Sequence, residues 1–75
     1  MRKAVKYELS KGGRVCTIHF DDGSTAKIDF ENFLKTFNNY KRAVIEYCTY
    51  VWVLANNAEI GDAAAKEIKE KLLSN

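Results

Sequence analysis

The 75 residues contain no proline, a single histidine and only two cysteines. No segment is proline-rich or low in complexity and no internal repeat is present, so residues 1–75 read as one small domain without a linker. With His19 the only imidazole and Cys16 and Cys48 the only thiols, no Cys-His set has metal-ligand spacing. Two cysteines do not make a disulfide framework. They read as reduced core thiols of a cytoplasmic protein, with a Cys16–Cys48 disulfide as the alternative. Long apolar runs are missing too. The longest apolar segment, "AVIEYCTYVWVLA" at 43–55, is interrupted by Glu46 and is too short to span a bilayer. The N-terminal "MRKAVKYELSKGG" has basic residues but no apolar core, so no secretory signal is expected.

Charge of one sign is also scarce. The net charge is +2, with nine Lys or Arg against five Asp or Glu in residues 1–42 and three against five in residues 43–75. Such mild asymmetry permits nucleic acid binding without arguing for it. Catalytic signatures are absent as well. Asp21 and Asp22 precede Gly23 as turn residues do, and the alternating acids of a calcium loop do not follow. Gly12-Gly13 lacks the Lys-Ser/Thr continuation of a phosphate loop. His19, expected between Lys6 and Lys27, has only the hydroxyls of Thr17 and Thr25 close by on an exposed sheet face, where a general base would need a nucleophile or substrate pocket beside it. No catalytic residue, metal site or cofactor is assigned, and the chain is not read as an enzyme.

What is present is strong patterning. Hydrophobic residues make up 47% and charged residues 29%, a balance that fits a folded soluble chain. Within residues 4–30, Val5, Tyr7 and Leu9 alternate with Lys6, Glu8 and Ser10. Cys16, Ile18 and Phe20 alternate with Val15, Thr17 and His19; Ala26, Ile28 and Phe30 alternate with Thr25, Lys27 and Asp29. Period-two alternation marks three strands, each with one face buried. A two-residue turn at Gly12-Gly13 pairs Leu9 with Cys16, Tyr7 with Ile18 and Val5 with Phe20. A three-residue loop at Asp22-Gly23-Ser24 pairs Phe20 with Ala26, Ile18 with Ile28 and Cys16 with Phe30. Asp29 reads as the N-cap of a short helix, "FENFLKTF".

A longer helix is expected from about residue 40 to about 56, ended by Asn56-Asn57. Its β-branched and aromatic residues also suit a fourth strand, but an apolar run from Tyr40 to Ala58 without a turn signal favours helix by length. A last helix, "AAAKEIKEKLL", is expected after an Asp62 cap, with Glu67 and Lys71 paired at i,i+4. The predicted fold is α+β: a three-stranded antiparallel meander followed by three helices packed on one sheet face.

The 40–56 helix is apolar nearly all round. Tyr40, Ala43, Val44, Tyr47, Cys48, Val51, Leu54, Ala55 and Ala58 form a stripe for the core, Ile45, Thr49 and Trp52 fall on a second side, and Tyr50 and Val53 on a third. A helix of this kind has to be covered on every side, and three small neighbours give little cover in a chain this short. Trp52 as plain core is the bland alternative. The sharper expectation is a small protein-interaction module, of adaptor or inhibitor type, with Ile45, Tyr50, Trp52 and Val53 contacting another protein or a second copy in a homodimer. A phage or mobile-element origin would suit its size and lack of motifs. The second choice is weak nucleic acid binding through a row of Lys6, His19 and Lys27 on the open sheet face, with Arg14 at its end. Glu8 and Asp29 oppose that row, and no aromatic residue is there to stack on a base.

Overall fold

The structure is a computed structural model, and it describes residues 1–74. Strands β1 (Ala4–Ser10), β2 (Val15–Phe20) and β3 (Thr25–Asp29) form one antiparallel sheet in the order β1-β2-β3. Helices α1 (Phe30–Thr36), α2 (Tyr40–Ala55) and α3 (Ala58–Leu73) follow. Cys16, Ile18, Phe20 and Ile28 on the sheet form one buried cluster with Val44, Tyr47, Cys48 and Val51 of α2 and with Ala64, Ile68 and Leu72 of α3. The α+β architecture is thus the one that the alternation and the helical stripes dictate, and "AVIEYCTYVWVLA" is helical.

The strand faces follow the expected alternation, but two details of register differ. Leu9 pairs with Cys16 and Tyr7 with Ile18, whereas Phe20 pairs with Ala4, because a bulge makes Val5 an extra residue. Ala4 is therefore buried and Val5 is 56% exposed. The carbonyl of Ala4 also accepts a hydrogen bond from Asn57 Nδ2 at 2.9 Å, which fixes the start of β1 to the joint between α2 and α3. Across the other pair, Ile18 lies opposite Ala26 and Cys16 opposite Ile28, two residues away from the predicted pairing. The loop is Asp21-Asp22-Gly23, not Asp22-Gly23-Ser24: Phe20 N donates to Ser24 O at 2.9 Å and Gly23 N to Phe20 O at 3.0 Å. Gly23 has φ +87°, as the last residue of such a three-residue loop requires. A shift of two residues keeps every side chain on its own face, so the core survives the correction.

The first turn is longer than a Gly-Gly pair. Ser10 and Val15 are the last opposed residues, and a 3-10 turn at Lys11–Gly13 followed by Arg14 joins them. Gly13 has φ +94°, and a Cβ there would lie 3.1 Å from Lys71 Cβ. Glycine is needed both for the conformation and for the close approach of α3.

Helix ends explain where the elements stop. Asp29 caps α1, its Oδ1 accepting from Glu31 N at 3.0 Å, and Asn39 caps α2 through Arg42 N at 2.8 Å. Asn56 ends α2 in the left-handed conformation, and its Nδ2 donates to Arg2 O at 2.9 Å. The cap of α3 is Asn57, not Asp62: Asn57 Oδ1 accepts from Glu59 N at 3.1 Å and Ile60 N at 3.3 Å. The helix consequently starts more than a turn earlier than predicted. Glu67, expected to pair with Lys71, instead accepts the Tyr7 hydroxyl at 2.6 Å.

Tyr47 sits at the centre of this packing. It is fully buried, its ring lies 5.3 Å from Phe30 and 5.6 Å from Phe33 between centroids, and its hydroxyl donates to Gly13 O at 2.8 Å. One side chain thus joins α2, α1 and the β1–β2 connection. Removing the hydroxyl leaves that carbonyl without this partner in a dry place, which costs about 1–3 kcal/mol. Tyr47→Phe is therefore expected to lower stability by that amount in a urea melt. Tyr50→Phe, on the exposed side of the same helix, should change it by less than about 0.5 kcal/mol.

Cys16 and Cys48 are free and buried, which answers the disulfide alternative. Burial pushes the Cys16 thiol up to about 12 and also raises that of Cys48. The hydrogen bond to the Glu67 carboxylate pushes the Tyr7 phenol up to about 12, and burial raises Tyr47. Each group ionises first in the unfolded chain, so the stability linked to it is fully present at neutral pH. It is lost as pH climbs from the ordinary thiol value of 9.0 towards 12. Urea midpoints are expected to fall progressively over that alkaline window, and both thiols should resist a thiol reagent at pH 8 until the chain is unfolded.

Candidate protein-binding face

The two halves of α2 differ in what covers them. Ala43, Val44, Tyr47, Cys48, Val51 and Ala55 are buried and occupy one half of the helical circumference. The other half carries Lys41, Arg42, Ile45, Thr49, Tyr50, Trp52 and Val53, all exposed, with Glu46 at intermediate exposure. Ile45 is 47% exposed, Tyr50 51%, Trp52 44% and Val53 64%. These are the four residues expected to make contacts, and all four lie on the outward half. The sheet, α3 and the α1 residues Phe30 and Phe33 cover the inner half, and at the edge of the outward half the Phe33 ring also lies 5.8 Å from that of Tyr50.

Trp52 is more than an exposed ring. Its Nε1 donates to Asp62 Oδ1 at 2.7 Å, and its ring lies over Gly61, where a Cβ would come within 2.7 Å of Cδ1. Asp62, expected to be a helix cap, is the residue that orients the indole. The Gly61-Asp62 pair is a partner that sequence reasoning missed; the glycine inside a helical pattern is the signal that could have revealed a close approach. A shallow groove beside the indole is lined by Cys48, Thr49, Trp52, Asp62, Ala65 and Lys69. Charges on the face are few. Arg42 and Glu46 form an i,i+4 pair at 3.7 Å, and the Thr49 hydroxyl turns back to Ile45 O at 3.0 Å.

The residues considered for nucleic acid do not form one row. Lys6 is opposite His19, but the other neighbour of His19 is Thr25, and Lys27 lies opposite Thr17. The two-residue change in register is the cause. His19 Nε2 lies 2.8 Å from Glu8 Oε1, and this hydrogen bond holds the Glu8 carboxyl below its usual range. Arg14 is engaged by Glu31 and lies over the Phe30 ring at 5.2 Å. Among the described residues no group of three or more His, Cys, Asp or Glu side chains is placed to hold a metal ion. Among the described residues no helix is long and apolar enough to cross a membrane.

No family model, curated protein or solved structure matches this chain.

Gly61→Ala tests the placement of the indole. The added methyl cannot share its position with Trp52 Cδ1, so the ring should swing outward and lose Asp62. A red shift of tryptophan emission is expected. The net stability change should stay within about 1 kcal/mol, because alanine gains about that much over glycine inside a helix.

Proposed function

We propose that this chain is a small non-catalytic protein-interaction module, of adaptor or inhibitor type, that binds through the outward half of α2. The observation that carries this reading is the joint exposure of Ile45, Tyr50, Trp52 and Val53 on one side of a helix that buries Ala43, Val44, Tyr47, Cys48, Val51 and Ala55 on the other. Aromatic residues held by their neighbours and left half-open are what interface hot spots are made of. Trp52 fits that description, since Asp62 and Gly61 fix it before any partner arrives. The reading includes a cytoplasmic setting, supported by two free, buried thiols.

Nucleic acid binding through Lys6, His19, Lys27 and Arg14 draws less support. Two of those four groups already face a carboxylate, and the remaining lysines are not neighbours across the sheet.

Capture from an extract of the source cells tests the main reading, with wild type compared against the Ile45→Asp, Val53→Asp double variant. Burying either side chain contributes roughly 1.5–3 kcal/mol, so recovery of bound protein should drop by about tenfold or more for each. Equal recovery by a double variant with an unchanged melting temperature would overturn the proposal.

A further inference from the structure

We infer that the partner on this face is a second copy of the chain, docked antiparallel through α2 with Thr49 at the two-fold axis. This assignment rests on the protein-binding reading of α2 and adds the identity and orientation of the partner.

The face is self-complementary about Thr49. Around the helix, Thr49 lies midway across the exposed half, between Trp52 on the α3 side and Tyr50 on the α1 side. Along the helix, it has Ile45 one turn before it and Val53 one turn after it. With two α2 helices antiparallel and Thr49 opposite its copy, Ile45 of one chain is level with Val53 of the other. Trp52, on the α3 side, comes beside Ile45 of the other chain, while the half-buried Glu46 lies at the α1-side rim, where its charge stays wet. The two-fold axis keeps both α3 helices on the same side of the pair.

Charge selects the antiparallel arrangement. The first turn of α2 carries Lys41 and Arg42 and no acidic residue, and its last turn carries no basic one. Cations at a helix N-terminus oppose the helix dipole, and cations near a C-terminus favour it. Antiparallel docking moves Lys41 and Arg42 next to the C-terminal end of the other α2 and the start of the other α3, where Glu59 and Asp62 are exposed. Lys3 is a cation at that end, beside Trp52, Val53 and Asn56, and Glu59 and Asp62 outnumber it. Parallel docking would bring Lys41 and Arg42 against their own copies and align the two dipoles.

Size sets the strength. α2 has 16 residues, so it is about 24 Å long, and one such face falls at the low end of specific interface areas, well under roughly 800 Å² per partner. A dimer that dissociates on dilution is expected.

Cysteine cross-linking tests the inference, because Cys16 and Cys48 are buried and give no background. Helices packed about 8–10 Å apart bring facing Cα atoms within disulfide reach. Under mild oxidation Thr49→Cys should form a covalent dimer at least about tenfold faster than Ile45→Cys alone, since the interface supplies a high local thiol concentration. A mixture of Ile45→Cys and Val53→Cys should link as Thr49→Cys does. Sedimentation of the unmodified protein should show a dimer that weakens with dilution. Fast linking of Ile45→Cys to itself would overturn the antiparallel arrangement. Sedimentation as a monomer at the highest concentration, with no Thr49→Cys linking, would overturn self-association altogether. In that case the capture experiment would still decide whether the same face binds a different protein.

Discussion

The hydrogen bond from the buried Tyr47 hydroxyl to the Gly13 carbonyl, 2.8 Å long, constrains more of this fold than any other single contact. It requires α2 to present the Tyr47 side to the β1–β2 connection. The rotation of α2 about its own axis is then set. Val44, Cys48 and Val51 must face the sheet and α3, and Ile45, Thr49 and Val53 must face away. Gly13 has to be glycine for its positive φ and for the approach of Lys71, so the same point also positions the C-terminal half of α3. An exposed apolar half of α2 is therefore a consequence of how the core is assembled.

Other contacts tighten this arrangement at the opposite end of the molecule. Asn56 and Asn57 bond back to the carbonyls of Arg2 and Ala4, which closes the joint between α2 and α3 onto the start of the sheet. Trp52 then lies over Gly61 with its N–H directed to Asp62. The indole has both a structural contact and an open face, and this combination supplies a rigid platform at little further entropic cost on binding.

Much of this was legible in the sequence. Alternation fixed which side chains of β2 and β3 face the core, and parity protected that assignment when the Asp21-Asp22-Gly23 loop moved the register by two. The loop itself was readable in hindsight, because Gly23 suits the last loop position better than the middle one. The Val5 bulge was not readable. Valine is the more apolar residue, and only the Asn57 bond to the Ala4 carbonyl explains why alanine faces inward. Asp62 was misjudged for a related reason, since a capping residue and a long-range acceptor look alike until Trp52 is placed beside it. The exposed set Ile45, Tyr50, Trp52 and Val53 followed from helical periodicity and the small number of neighbours. The basic row of Lys6, His19 and Lys27 did not hold together, because it depended on the one strand pairing that parity could not protect.

The central claim is that the outward half of α2 is a contact surface and that its first occupant is another copy of the chain. Methyl resonances of Ile45 and Val53, followed by NMR from dilute to concentrated solution, test it most directly. The account predicts that these two methyl groups shift together along one binding curve while those of Ile18 and Ile68 in the core stay still. Resonances that are all stationary, or shifts confined to another surface such as the β3 edge, would contradict it.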